Sequence, residues 1–319
     1  KSRELGMAWD ELGRRETERY LRDMDALNVR RPNVYARATQ ETPAMIEIAQ
    51  TLIAGGYAYE SAGSVYYSVK RDPDFGTLGR AIGLNDYAAM LTIANERGNF
   101  PDDPRKRDPL DFVLWQAQAP GEPAWPSPWG PGRPGWHIEC SAMSMKYLGP
   151  QIDIHGGGAD LAFPHHTCEI AQSEHFTGKS PFARVWMHTG MVHQDGEKMS
   201  KSLGNLTLVS DLLKRYSADA IRVTLQNHHY RYPWECFPED LQVATETVAL
   251  FKQVRDLAGG QSGEDHVLHD RFIAAMENDL NTPQALLLLR QAAETALANH
   301  DVNCGAEILR LTRILGLTV

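Results

Sequence analysis

Two short apolar runs, residues 152–154 and 185–189, each lead into a loop that carries glycine. Runs this brief, bounded by glycine, read as strands rather than helices. Strands that each feed a glycine-bearing loop belong to an open parallel sheet, with its ligand site beyond the strand ends. The pattern places the chain in the α/β class and draws attention to the loop His155-Gly156-Gly157-Gly158-Ala159-Asp160. Three glycines let backbone come close to a ligand, and an acidic residue just beyond suits ribose hydroxyls. A glycine triplet by itself is more often a plain turn.

The rest of the chain is largely helical in pattern. Residues 8–27 spell an amphipathic helix, with Trp9, Leu12, Tyr20, Leu21, Met24 and Leu27 roughly on one face. Residues 43–54 form a second, with Thr42 as its cap, Pro43 in its first turn and Gly55-Gly56 at its end. Residues 64–69 (SVYYSV) are strand-like and residues 101–109 form a polar, proline-rich loop. Residues 119–136 are rich in proline and glycine, yet Trp125, Trp129 and Trp136 need burial or a stacking partner. That stretch therefore reads as an ordered loop near a functional cleft. From about residue 236 the pattern is helical to the end. Phe272 and Ile273 lead into further apolar spacing over residues 276–289, and Leu309, Leu311, Ile314 and Leu315 make a last apolar face.

Composition narrows the function classes. A chain of 319 residues suits two or three domains. No stretch approaches the ~18 uninterrupted apolar residues that span a bilayer, and no signal peptide opens the chain. The first residue is Lys1, inside a helix-like stretch, so a cut chain is expected. Cys140, Cys168, Cys236 and Cys304 are too few for a disulfide framework and read as reduced thiols of a cytosolic protein. A net charge of −9 argues against nonspecific DNA binding, while leaving room for a local basic patch facing RNA.

Two constellations carry chemistry. Pro164 suits a helix start, so residues 164–176 are expected to be helical, with His165 and Glu169 one turn apart on one face. With Cys140 they make a thiolate, imidazole and carboxylate set suited to zinc. Cys168, also on that helix, is either a rival ligand or a small packing residue. The second constellation is Lys198-Met199-Ser200-Lys201-Ser202, between Asp195-Gly196-Glu197 and Leu203-Gly204-Asn205. Two lysines three apart and two hydroxyls on a glycine-flanked loop can hold a polyphosphate and its pentavalent transition state. A generic loop of this kind is a solvated surface.

Residues 198–202 are the KMSKS signature of class I aminoacyl-tRNA synthetases. In company with GEPAWPSPWGPGRPGWHIECSAM (121–143), DIHGGGADLAFPHH (153–166), EIAQSE (169–174), WMHTGMV (186–192) and KMSKSLGN (198–205), they make the chain resemble the cysteinyl-tRNA synthetase family. The likeness covers nearly the whole chain and is most specific from about residue 110 to 232. It continues more weakly through NDLNTP (278–283).

The resemblance implies a Rossmann-like class I catalytic domain with its second half present. Residues 1–110 would be a mostly helical connective insertion, 111–195 the second half, 196–235 the KMSKS loop and stem-contact region, and 236–319 a helical bundle. It implies that Cys140, His165 and Glu169 match three of four ligands of a single zinc ion. Lys198 and Lys201 would be catalytic, with Lys201 the ATP-binding lysine. His155, Gly157 and Asp160 would line the cysteinyl-adenylate pocket, with Trp136 beside the amino acid and His166 a second pocket histidine. L-cysteine, ATP with Mg2+ and tRNA(Cys) would be the substrates of a cytoplasmic monomer. Lys214, Arg215, Arg222 and Arg231, with His228 and His229 nearby, are candidate contacts to tRNA phosphates.

There are departures. The family's fourth zinc ligand, in an MYVCG-like stretch, and its HIGH signature are absent from this sequence, and Thr167-Cys168 stand where the family has Glu-Asn. Without the first half of the sheet, exposed strand edges and an open cleft are expected. Mycothiol-pathway ligases share the first half-reaction but pass cysteine to an amino sugar on inositol, and residues 90–104 resemble that group. His155 and Glu169 follow the tRNA-ligase pattern instead. A noncatalytic synthetase paralogue is the third reading, and the retained lysines and zinc residues weigh against it.

Overall fold

The computed structural model describes residues 1–200 and 204–319. The chain divides into two compact units, one formed by Val34–Thr189 and the other by Lys1–Asn33 with Gly190–Val319.

In the Val34–Thr189 unit, the helix Thr42–Ala54 buries Met45, Ile48, Ala49 and Leu52, the i, i+3, i+4, i+7 stripe of an amphipathic helix. Pro43 sits in its first turn and Gly55 follows its end. Thr42 does not cap it: Glu41 holds the cap position, and the buried Thr42 hydroxyl has no hydrogen-bond partner. The Glu41 carboxylate is drawn away from the helix end by Lys146 Nζ and the Tyr147 hydroxyl, each at 2.6 Å. The helix packs on an antiparallel sheet of Ala58–Ser61, Ser64–Tyr67, Phe112–Ala117 and Gly132–Pro134, in that order. Trp125 pairs with Gly132 as a bridge to this sheet, and Trp125 and Trp129 pack against its core. The proline-rich stretch is ordered by those contacts.

Strands Ile152–Gly158 and Ala183–Thr189 pair in parallel, with Ile154 opposite Val185, His155 opposite Trp186 and Gly157 opposite His188. Gly156, Gly157 and Gly158 are therefore the last residues of a strand rather than a loop after it. Neither strand has another strand partner among the described residues, and Ile154 and Val185 are more than half exposed. Between the two strands the chain makes a wide turn over Ala162–His166 and continues as the helix Thr167–Thr177. Phe163 has extended dihedrals, so the helical run begins at Pro164, as its sequence position predicts.

In the other unit, the helix Trp9–Ala26 forms where expected but buries none of its residues. Trp9 and Tyr20 are about half exposed, and Met24 is partly buried against Leu27, Ile221 and Leu241. Four helices, Pro238–Ala258, His266–Glu277, Thr282–Asn299 and Val302–Ile314, share a core that includes Phe251, Phe272, Leu289 and Ile308. The apolar run 276–289 is broken at Asp279 and Leu280, both at positive φ, and Asn281 caps the next helix through Gln284 N. A hairpin joins Val192–Gln194 to Glu197–Lys198. Its turn residues Asp195 and Gly196 have φ of 55° and 76°, the left-handed pair that a two-residue hairpin favours. Among the described residues no helix is long and apolar enough to cross a membrane.

Candidate metal centre and ligand pocket

Three pieces of chain build the centre, the first separated from the other two by the strand Ile152–Gly158. Cys140 lies on the helix Trp136–Leu148, His165 in the Ala162–His166 turn and Glu169 in the first turn of Thr167–Thr177. One candidate ligand atom from each lies within 4.8 Å of the others. His165 Nε2 is 2.6 Å from Glu169 Oε1, at the i,i+4 spacing. His165 Nδ1 is 2.8 Å from His137 Nδ1, so both ring nitrogens are engaged and the ring orientation is fixed. Burial, then the neighbouring His165, pushes His137 down to about 3. His137 is therefore neutral at physiological pH, and it can accept the proton of His165 Nδ1 and leave Nε2 free to ligate.

The Glu169 carboxylate tests whether a cation suits this place. It is fully buried, and neither oxygen receives an aligned hydrogen bond. Yet His165 Nε2 and His155 Nε2 approach it at 2.6 Å and 3.1 Å. An imidazole nitrogen and a buried carboxylate this close can serve one cation as two of its ligands. Burial raises the Glu169 carboxyl and the two imidazoles lower it; the imidazoles win, keeping it ionised. Burial, and then Glu169, pushes the Cys140 thiol up to about 12. A cation is the group that would hold this thiol as thiolate beside a carboxylate. Sulfur, nitrogen and oxygen donors in one dry cluster fit zinc.

The predicted pocket residues gather around the same centre. Trp136 is half exposed, and its ring stacks on His165 with centroids 4.6 Å apart. His155 contacts His166 and Trp186 ring to ring. Gly157 runs against the His166 ring: a Cβ there would lie 2.9 Å from its Cε1. Arg97 reaches across to donate to the carbonyls of Asp160 and Phe163, bracing the turn ahead of the metal helix. A cleft of about 730 Å³ opens beside Trp136 and His137, with Arg97, Arg105 and Arg133 also on its walls. Cys168 lines that cleft, is fully buried and belongs to the hydrophobic core, outside both potential ligand sets. It is a packing residue.

Several participants escaped the sequence reading. His137 stood inside the quoted WHIEC string without a role. His188 Nε2 lies 2.8 Å from His166 Nδ1, and strand alternation from Trp186 would have placed both side chains on the pocket face. Arg97, far away in sequence, gave no signal.

The lysine loop belongs to the other unit. Lys198 ends the hairpin strand, and the Asn205 side chain donates to Lys198 O at 3.2 Å and accepts from Ser200 N at 2.8 Å. Lys201, with Ser202, lies outside the described residues. Of the expected phosphate contacts, Arg222 is already committed. Its Nη1 donates to Leu27 O at 2.9 Å, and its Nε and Nη2 to Leu315 O at 3.2 Å and 2.7 Å. It is a brace between chain segments rather than a phosphate ligand. Arg231 forks onto Asp279 at 2.7 Å and 2.8 Å, His228 stacks on Trp234, and Lys214, in the turn after the short helix Val209–Leu212, pairs with Asp211 at 2.7 Å.

A family model described as tRNA synthetases class I (C) catalytic domain matches residues 1–246. The cysteine–tRNA ligase of Thermodesulfovibrio yellowstonii is 46% identical over 304 residues, covering 89% of this chain and 61% of that protein. The cysteine–tRNA ligase of Carboxydothermus hydrogenoformans is 44% identical over 318 residues, covering 95% and 66%. The L-cysteine:1D-myo-inositol 2-amino-2-deoxy-alpha-D-glucopyranoside ligase of Thermomonospora curvata is 43% identical over 300 residues, covering 93% and 71%. The chain thus spans less than two thirds of the length of the first two. Mycobacterium tuberculosis methionyl-tRNA synthetase in complex with methionyl-adenylate superposes with a TM-score of 0.63 at 14% identity, over 98% of this chain and 78% of that one. At that identity the likeness speaks for the fold, an α/β class I synthetase body with a helical C-terminal region.

Proposed function

Since the chain belongs to the family of class I (C) tRNA synthetase catalytic domains, we propose that it is the catalytic body of a cysteine–tRNA ligase. The ligase would join L-cysteine to ATP as cysteinyl-adenylate, releasing pyrophosphate, and pass the cysteinyl group to the terminal ribose of tRNA(Cys). The observation that carries the reading is the Cys140, His165 and Glu169 set, its imidazole and carboxylate buried, with Trp136 stacked on His165.

Each group has a distinct task. Cys140, His165 and Glu169 would hold one zinc ion. When bound, zinc supplies a soft acceptor that favours a thiolate over a hydroxyl, which excludes serine without a separate editing site. Trp136 would cover the amino acid. His155, Gly157, Asp160 and His166 would line the adenylate pocket, with the glycine backbone admitting the nucleotide closely. Lys198 and Lys201 would steady the magnesium-bound phosphates as charge builds in the in-line displacement at the α-phosphate. Lys214 and Arg215 are the candidates for the phosphates of tRNA, contacts that weaken as salt rises.

A second reading has its own support. The Thermomonospora curvata relative joins cysteine to an amino sugar, and the chain covers more of it than of the first tRNA ligase. Both readings share the adenylate, so the acceptor decides. The test offers labelled cysteine and ATP to the intact protein with either tRNA or glucosaminyl-inositol. Charging of tRNA alone is expected; transfer to the sugar amine alone would overturn the proposal in favour of the second reading.

A further inference from the structure

The hairpin that leads into the lysine loop is one side of a three-stranded sheet, ordered Glu197–Lys198, Val192–Gln194, Trp234–Glu235. Lys198 pairs with His193 and His193 pairs with Glu235, so the three side chains stand in one row on one face. The Glu235 carboxylate reaches the hairpin turn, where Gly196 N donates to its Oε1 at 3.1 Å. That turn, with Asp195 and Gly196 both at positive φ, decides where Glu197 and Lys198 lie. A side chain 39 residues further along therefore ties it down. The strand that carries Glu235 is anchored in its turn. Cys236 N donates to His193 O at 2.9 Å and Trp234 N to Met191 O at 3.2 Å. Gly190 meets Tyr232 backbone to backbone, for a Cβ on Gly190 would lie 2.2 Å from the Tyr232 carbonyl. Trp234 stacks on His228 with centroids 3.8 Å apart and planes 8° from parallel. Burial draws His228 below its ordinary value, so its ring is a neutral stacking partner rather than a cation for phosphate.

We propose that Glu235 is a positioning residue for the lysine loop: its carboxylate holds the Gly196 turn, and the His228–Trp234 stack holds the strand that carries it. This rests on the reading of Lys198 as a group that steadies phosphate charge. Lys198 can answer the charge that builds at the α-phosphate only from the place where that charge appears, and a displacement of about 1 Å can cost on the order of 100-fold in rate. Glu235 itself touches neither nucleotide nor cysteine in this scheme. Its loss should lower kcat for adenylate formation and leave the KM for cysteine unchanged.

Two substitutions separate reach from charge. Glu235→Gln keeps an acceptor oxygen at the same reach and drops the charge, whereas Glu235→Asp keeps the charge and is one methylene shorter. In cysteine-dependent pyrophosphate exchange by the intact protein, Glu235→Gln should stay within about threefold of wild type, while Glu235→Asp and Glu235→Ala should each lose roughly fivefold or more in kcat at an unchanged cysteine KM. His228→Phe, which keeps a ring on Trp234, should behave as Glu235→Gln does, and His228→Ala as Glu235→Asp does. Circular dichroism checks each fold. Hydrogen exchange at the Gly196 amide reads the brace without any activity: protection should fall in Glu235→Asp and Glu235→Ala and persist in Glu235→Gln. Pyrophosphate exchange at the wild-type rate in Glu235→Ala overturns the proposal. So does activity that follows charge, with Glu235→Asp active and Glu235→Gln not, and so does a Gly196 amide equally protected in Glu235→Ala. A wild type without cysteine-dependent exchange would instead defeat the ligase reading and the catalytic claim that rests on it, while Gly196 protection would still decide whether Glu235 holds the turn.

Discussion

Replacing Arg222 with alanine removes three N–H donors from two carbonyls that come from distant parts of the chain, Leu27 O and Leu315 O. Leu315 O keeps one donor, Gln226 Nε2 at 2.8 Å, so the larger deficit falls on Leu27 O. Hydrogen bonds from a charged donor contribute roughly 1.5–3 kcal/mol each, and a buried carbonyl stripped of its donor costs about 1–3 kcal/mol. Counting the Leu27 bond in full and the doubled Leu315 contact in part gives a loss of about 3 kcal/mol. For a unit of this size that corresponds to a fall of roughly 6–12 °C in its melting transition. Arg222→Lys keeps one cationic donor and should lose less than half as much. The assay is differential scanning calorimetry of the intact protein beside a salt series of tRNA binding. An unchanged transition in Arg222→Ala, with tRNA affinity reduced and its salt slope smaller by about one, would refute the brace and restore the phosphate-contact reading.

Two further outcomes are expected at the centre. Gly157→Ala places a Cβ 2.9 Å from His166 Cε1 and from Leu161 Cδ1, so the imidazole must shift; cysteine-dependent pyrophosphate exchange should fall at least tenfold while stability drops by only about 1–3 kcal/mol, and exchange at the wild-type rate would remove Gly157 from the pocket. His137→Phe keeps the ring volume but removes the partner of His165 Nδ1; zinc affinity, read by chelator competition, should weaken about 10–100-fold, and an unchanged affinity would show that His165 is oriented without it.

Local rules made much of the fold legible. The Thr42–Ala54 stripe, the parallel pair at Ile152–Gly158 and Ala183–Thr189, and the four C-terminal helices follow from apolar period and punctuation. Where local rules failed, a distant partner had prevailed. Thr42 lost the capping position to Glu41, whose carboxylate answers to Lys146 and Tyr147, residues no local rule can place nearby. The glycines after Ile154 read as a loop because glycine is a poor strand former, but the hydrogen-bonding edge of Met187–Thr189 needs only their backbone. Trp9 and Tyr20 spell an apolar face on a helix that buries none of it.

The site shows the same division on a smaller scale. Spacing along one helix suffices to pair His165 with Glu169, because an i,i+4 contact is fixed by helix geometry alone. Bringing Cys140 to them needs a second helix, and the chemistry of the three donors gives the only hint of that in the sequence. His155 approaches the other Glu169 oxygen from a strand, and His188 braces His166 from the strand beside it; both depend on register across the parallel pair. A one-residue slip there would turn His188 to the opposite face and leave His166 without its partner. The glycines that look like a nucleotide loop thus have a prior structural task. Gly157 leaves the room that the His166 ring occupies, so that the Glu169 carboxylate and the histidines around it can gather beside the parallel pair.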